Sequence, residues 1–336
     1  MSEATQTLTA KDFKSDQEVR WCPGCGDYSI LANFQRTLPS LGIPREKHVV
    51  VGGIGCSSRF PYYMNTYGIH SIHGRAPAIA TGLKSMRPDL TVWVITGDGD
   101  AMSIGGNHML HVLRRNVDLK ILLFNNRVYG LTKGQYSPTS HAGSITKSTP
   151  VGSIDYPVDP VRFALTAGAT FVARTLDIDA PHFQHVLKRA AEHRGAAIIE
   201  IYQNCPIYND DAFVTLSDKK QRPDHGLYLE HGKPLTFAGG TKSVRLNASF
   251  RWEVVDGVPD DALIYDETNP VLADLVSKLE PPGFPAPMGV FFASEKPTYN
   301  ALLDAQVNTA AEAVKGGPKA SLQSLLESGE TWTVKP

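Results

Sequence analysis

Hydrophobic positions along the chain fall into two rhythms. Short apolar, β-branched runs occur at 48–54 (HVVVGGI), 91–95 (TVWVI), 120–124 (KILLF), 171–173 (FVA) and 197–202 (AIIEIY). Unbroken runs of this length are typical of strands buried on both faces of a parallel sheet. Between them apolar residues recur at helical spacing: Ile30, Leu31, Phe34 and Leu38; Ile104, Met109, Leu110, Val112 and Leu113; Val161, Phe163, Ala164 and Leu165; Phe183, Val186 and Leu187. Each set forms one apolar stripe on a helix. Pro181 near one predicted helix start and Gly195 beyond its end are placed as helix boundaries favour. The alternation predicts an α/β fold: an open, mostly parallel sheet with helices on both faces, closed by the strand 197–202.

Three regions follow from the same pattern. Residues 1–18 are polar and read as a mobile arm, or as one that orders on a partner. Residues 19–212 carry the α/β alternation. Residues 213–336 read as a C-terminal extension that packs on the core or on a partner subunit. It opens with a charged linker at 217–223 and continues with short strands or loops within 231–246 and 250–257. An amphipathic helix at 269–279, a proline-rich stop or extended arm from Pro281 and a last helix near 322–327 complete it.

Composition narrows the function. The 336 residues carry a net charge of -1, with 42% hydrophobic and 20% charged residues, which offers no basic surface for nucleic acid or membrane. The polar start lacks the hydrophobic centre of a signal peptide, and no apolar run reaches membrane-spanning length. A cytoplasmic protein is expected. With only four cysteines, each needs an account.

The chemistry gathers where predicted strands end. The strand at 91–95 runs into Gly97-Asp98-Gly99, and the strand at 120–124 runs into Asn125-Asn126. Ligands bind at the carboxyl edge of an open parallel sheet. Asp and Asn oxygens there suit Mg²⁺, whose remaining positions diphosphate can fill. Gly97 and Gly99 let backbone approach phosphates, and a helix amino end follows. The cysteines also stand at loops or strand ends: Cys22 and Cys25 in CPGC, Cys56 in GCSSR, Cys205 in QNCP. A redox pair, a Cys₄ zinc site and an iron–sulfur cluster are all open to this set.

GDG, twenty-five intervening residues (Asp100 to Phe124) and then NN resembles the thiamine diphosphate motif. That resemblance implies Mg²⁺ held by Asp98, Asn126 and the carbonyl of Val128. Cys22-x2-Cys25-x30-Cys56-x148-Cys205 resembles the [4Fe-4S] ligand set of the 2-oxoacid:ferredoxin oxidoreductases, in the subunit that binds thiamine diphosphate. The stretch 70–82, HSIHGRAPAIATG, resembles that family too. It implies a cofactor pocket that includes Cys56, Ser57, Ser58, His73, Gly74, Arg75, Gly97, Asp98, Gly99, Asp100, Asn126, Val128, Gly130, Leu131 and Thr132. His70 is expected to be structural. The polar loop after Tyr129 is expected to fold over the cofactor, with Thr132 and Gln135 as donors to phosphate or substrate. Lys133 stands where many members have Gly, so it is placed to pair with the distal carboxylate of 2-oxoglutarate, with diphosphate or solvent as its other partners. His73, Lys133 and Thr132 are the expected catalytic residues.

The implied function is that of a β subunit catalysing CoA-dependent oxidative decarboxylation of 2-oxoglutarate to succinyl-CoA and CO₂, with electrons leaving through the cluster to ferredoxin. An α subunit would supply the aminopyrimidine glutamate and the CoA site, and two αβ pairs would associate. Three alternatives remain open on sequence: a pyruvate or indolepyruvate enzyme, a cluster-free thiamine decarboxylase or ligase, and a non-catalytic metal-binding subunit.

Overall fold

The computed structural model describes residues 8–313 and 317–334. Eleven strands form two sheets. The large sheet contains β1 (His48–Gly52), β2 (Tyr67–His70), β3 (Thr91–Gly97), β4 (Lys120–Asn125), β5 (Phe171–Leu176) and β6 (Ala197–Tyr202). The later segments β7 (Gly226–Leu229) and β11 (Ala286–Ala293) join it. The strand order is β2-β1-β3-β4-β6-β5-β11-β7. Every pairing is parallel except β11 against β5. The expected open, mostly parallel sheet is therefore present. The strand at 197–202 does not close it, however: β6 lies inside, between β4 and β5. All its residues are buried because it has a neighbour on each side.

Helices cover both faces. On one side α1 (Asp27–Thr37) lies beside the helix at Ala180–Glu192, over Trp93, Leu122 and Ile199. On the other, α2 (Ala76–Met86) packs with the helix at Gly106–Arg114 over Val92, Val94 and Ile121. The helix expected after Gly99 is broken. A short α3 (Asp98–Met102) stops at Ser103, whose backbone leaves the helical region at φ -95°, ψ -109°, and α4 (Gly106–Arg114) starts afresh. Ile104 lies in the break and is 54% exposed, and Leu110 faces solvent at 38%, so only Met109, Val112 and Leu113 of the predicted stripe are buried.

Two boundaries differ from the sequence reading. The arm docks from residue 10 onward: Phe13 is fully buried against His48, and Lys14 bridges to Met64. An aromatic ring supplies more buried area than its polar neighbours suggest. The first seven residues of that arm lie outside the described residues. The extension packs on the core by lending it β7 and β11. The segments β8 (Thr236–Phe237), β9 (Lys242–Leu246) and β10 (Trp252–Asp256) form a small antiparallel sheet. The proline-rich stretch after Pro281 leads directly into β11, whose eight residues are nearly all buried.

Candidate active site

Four adjacent strands deliver the chemistry. The carboxyl ends of β1, β3, β4 and β6 lead into Cys56, Asp98, Asn126 and Cys205 respectively. A cleft at this edge is lined by Cys56, Ser57, His73, Gly97, Asp98, Gly99, Asp100, Asn126, Val128, Gly130, Leu131 and Thr132, all expected from sequence. Asp27, Ile54, Gly55, Phe124 and Tyr129 line it as well and were not expected. Ser58, Gly74, Arg75 and Lys133 are not in the lining.

Each outlier has a local reason. Ser58 is fully buried below the cleft. Gly74 donates its N–H to Asp100 at 2.7 Å and adopts φ +69°; a Cβ there would meet Gly105 backbone at 2.6 Å. Arg75 turns its guanidinium to the carbonyl of Ile104 at 3.1 Å. Lys133 sits exposed on a turn with φ +75°. The Thr132 hydroxyl contacts the Gln135 side chain, which closes the same turn. His70, at the end of β2, is exposed beside Tyr62 and lies outside the cleft lining.

Asp98 is buried at 2% exposure. Burial pushes its carboxyl up to about 6 from the usual 3.8, partly offset by hydrogen bonds from Ser137, Thr139 and Gly99. Both hydroxyls sit on one carboxyl oxygen, Oδ2, which leaves the other open to a cation. Gly99 has a further reason beside the expected phosphate approach: a Cβ there would stand 2.2 Å from the Tyr129 ring, whose hydroxyl donates to the Gly99 carbonyl at 3.0 Å. Asp100 orients the neighbouring loop, with His73 Nδ1 at 2.5 Å and the Thr96 hydroxyl at 2.8 Å. The loop expected to fold over the cleft does so only as far as Thr132. Its continuation, Ser137 to Ser140, passes behind Asp98 and is buried.

The four thiols gather beside the cleft. A Cβ at Gly130 would meet Cys56 and Cys205 sulfurs at 3.6 and 3.7 Å, so both sulfurs lie close to one point beside the glycine. Cys56 also feels the charge of Cys22, and Cys25 that of Cys56. Burial lifts the Cys56 thiol to about 12, with Asp27 adding to the effect, and lifts Cys25 further. Bare thiolates are disfavoured there, which suits ligands whose charge a metal group neutralises. Among the described residues no three His, Cys, Asp or Glu side chains converge as a single ion needs. Asp27, also in the cleft wall, is 1% exposed, and neither carboxyl oxygen has a partner. Burial, countered in part by Cys25 and assisted by Asp177, lifts it to about 7. An orphaned buried carboxyl facing a cleft fits a site that receives a polar occupant.

A larger cavity of about 430 Å³ lies behind the wall formed by Asn125 and Thr139. Its buried charges are already paired: Arg174 with Glu200 at 2.6 Å and Asp159 at 3.4 Å.

An α/β sheet edge with this acid, amide and thiol arrangement defines a thiamine-diphosphate-type subunit. In agreement, the model of the thiamine pyrophosphate enzyme C-terminal TPP binding domain matches residues 53–201. The chain is 52% identical over 335 residues to 2-oxoglutarate oxidoreductase subunit KorB of Mycobacterium tuberculosis, covering 98% of this chain and 89% of that one. It is 46% identical to 2-oxoacid:ferredoxin oxidoreductase 1, subunit beta, of Aeropyrum pernix, over 59% of this chain and 62% of that one. Among solved structures, the 2-oxoglutarate:ferredoxin oxidoreductase of Magnetococcus marinus, with 2-oxoglutarate, coenzyme A and succinyl-CoA bound, superposes with a TM-score of 0.77 at 34% identity, over 95% of this chain and 96% of that chain. The chain belongs to the β subunits of the 2-oxoacid:ferredoxin oxidoreductases, in their KorB branch.

Proposed function

We propose that this chain is the thiamine diphosphate and [4Fe-4S] subunit of a 2-oxoglutarate:ferredoxin oxidoreductase that converts 2-oxoglutarate and CoA to succinyl-CoA and CO₂. The observation that carries the reading is the meeting of two ligand sets at one edge. Asp98, Asn126 and Val128 line the same cleft as Cys56, and Gly130 stands against the sulfurs of both Cys56 and Cys205. A plain thiamine decarboxylase has no use for four cysteines around its cofactor cleft.

In this reading Asp98, Asn126 and the Val128 carbonyl hold Mg²⁺ and through it the diphosphate. Cys22, Cys25, Cys56 and Cys205 hold the cluster. When bound, thiamine diphosphate supplies a nucleophilic carbon and an electron sink for the ketone, and the cluster supplies a one-electron acceptor. The chain's own residues position and shield. Gly130 brings the cluster ligands against the cofactor wall. Asp100 fixes His73 at the rim. Lys133 and Thr132 stand on the turn at the mouth, where Lys133 offers a cation to the distal carboxylate of 2-oxoglutarate. The cleft is lined by Asp27, Asp98 and Asp100 but by no glutamate among the described residues. The glutamate that activates the aminopyrimidine belongs to an α subunit, which also carries the CoA site. Two αβ pairs would associate, and ferredoxin would accept the electrons. The isolated chain is a half-site.

The test is anaerobic: iron, acid-labile sulfide and the EPR spectrum of the dithionite-reduced αβ complex, followed by 2-oxoglutarate and pyruvate turnover. About four irons per β chain with a reduced [4Fe-4S] signal, and preference for 2-oxoglutarate, are expected. Zinc, or no metal, would return the chain to the non-redox thiamine enzymes.

A further inference from the structure

The segment Ser137-Pro-Thr-Ser140 takes no part in lining the cleft, yet it is the most heavily bonded part of the site's surroundings. The Ser137 hydroxyl donates to Asp98 Oδ2 at 2.5 Å. The Thr139 hydroxyl lies 2.6 Å from the same oxygen and 2.9 Å from Asn125 Oδ1. All three side chains are at least nine-tenths buried. The Ser140 hydroxyl accepts the Ser137 N–H at 2.8 Å and reaches the Arg127 carbonyl at 2.6 Å. Asn125 in turn is fixed by Glu200, to which it donates at 2.7 Å, and Glu200 by Arg174 on the next strand. One short segment thus ties the strand end carrying Asp98 to the loop carrying Asn126 and Val128.

The asymmetry at Asp98 is informative. Both hydroxyls engage one carboxyl oxygen, Oδ2, and no side chain of the described residues bonds to Oδ1. A carboxylate pinned in this way presents one oxygen to an ion. Mg²⁺ takes six ligands in a small, strict octahedron and prefers a carboxylate through a single oxygen. Ca²⁺ takes six to eight at longer range and readily accepts both.

We propose that Ser137 and Thr139 are positioning residues of the metal site: by occupying Asp98 Oδ2 they hold Asp98 as a one-oxygen ligand and select Mg²⁺ over Ca²⁺ for diphosphate binding. The inference rests on the metal reading of Asp98 given above and adds to it the groups that set which ion is taken. It also explains the buried chain of polar groups behind the cleft. Removing an outer-shell partner of this kind typically lowers metal affinity by ten- to a hundredfold.

The experiment uses the complete αβ complex, stripped of divalent ions with a chelator. Thiamine diphosphate binding is followed by intrinsic fluorescence, with Mg²⁺ or Ca²⁺ as the added ion. Ser137→Ala and Thr139→Val remove one hydroxyl each, and Thr139→Ser keeps it. For each alanine or valine variant the apparent Mg²⁺ affinity falls about tenfold while that for Ca²⁺ changes by less than about threefold. Thr139→Ser behaves as the wild type. Equal losses for both ions, or failure of Thr139→Ser to retain selectivity, would reduce the segment to scaffolding and overturn the proposal. Unchanged affinity for both ions would overturn it as well. Iron content checks that each variant folds, and should Ser137→Ala fail that check, the pair Thr139→Val and Thr139→Ser still decides. A wild-type complex that binds no thiamine diphosphate with either ion would sink the metal reading of Asp98 itself, a different result from selectivity that the variants leave intact.

Discussion

Asp98→Asn separates the stability of the site from its function. The carboxyl is 2% exposed and held at about 6 rather than 3.8, chiefly by burial. A raised folded-state value means that the folded protein disfavours the ionised form. The penalty is absent below about pH 3.8, where folded and unfolded chains are both protonated, develops up to about 6, and is complete above it. The gap between the two values is worth about 3 kcal/mol at neutral pH. Asn keeps an oxygen for the Ser137 and Thr139 hydroxyls and removes the charge. A chain of this length unfolds with an entropy of roughly 0.7 kcal/mol/K, so about 3 kcal/mol raises the midpoint by about 4 °C. The assay is thermal unfolding of the αβ complex, stripped of Mg²⁺ and thiamine diphosphate, at pH 7.5 and pH 4.5. The variant should melt higher at pH 7.5, and the gap should shrink toward pH 4. Adding Mg²⁺ and thiamine diphosphate should reverse the order. Only the wild type gains then, by about 4.1 kcal/mol at a thousandfold excess over Kd, which outweighs the variant's advantage of about 3 kcal/mol. The cluster EPR should be unchanged throughout. A variant that melts lower without cofactor, or that is stabilised by it as the wild type is, would refute the argument.

Three further changes test other parts of the structure. Lys133→Ala should raise the KM for 2-oxoglutarate at least about tenfold, the size of a lost bond to a charged group, and leave pyruvate almost unaffected; steady-state kinetics decide, and equal loss for both acids points instead to diphosphate. Lys133→Gly, which suits the φ of +75°, controls for backbone effects. Glu200→Ala leaves Arg174, 3% exposed, with Asp159 and the Pro287 carbonyl, each at 3.4 Å, and should destabilise by about 3–5 kcal/mol on chemical denaturation, with Glu200→Gln milder. Phe13→Ala should release the docked arm, lowering stability by up to about 3–5 kcal/mol and opening Lys11 and Lys14 to trypsin; an unchanged digest would return the arm to a mobile tail.

Much of the site was legible because its residues follow buried strands. A parallel strand announces itself by an apolar run, and the residue that ends the run is the one at the ligand-binding edge. Cys56, Asp98, Asn126 and Cys205 were readable for that reason. What escaped depended on partners far away in sequence. Arg174 seemed to end the strand at Ala173, yet it continues β5 because Glu200 stands directly opposite it on β6 and neutralises it. Asp27 reads as an ordinary first-turn acid of a helix, and only the packing shows its carboxyl facing the cleft. Ser137 and Thr139 read as loop residues, although they are buried against Asp98. The strand β11 was hidden by the prolines before it and by Gly289, and the four residues of β7 are too few for periodicity to register.

The order of the strands explains how one chain can bring an electron donor and an acceptor together. β1 and β6 are separated by β3 and β4, so their axes stand three intervals apart, roughly 14 Å at about 4.8 Å per strand. Yet the sulfurs that follow them lie close to one point beside Gly130. The loops after the outer strands therefore lean inward over the ends of the inner two, which carry the Asp98 and Asn126 loops. A Cβ at position 130 would stand in ordinary contact with both sulfurs, so the loop that carries Gly130 is the boundary between these thiols and the cleft. The parallel sheet places all four strand ends on one edge, and the inward lean turns that row of loops into two adjoining sites. As a β subunit the chain works with partner subunits, and in the proposed reading one of them completes the cleft, whose lining holds no glutamate among the described residues. In the proposed reading, the part of this subunit is to hold thiamine diphosphate and the cluster side by side at that edge.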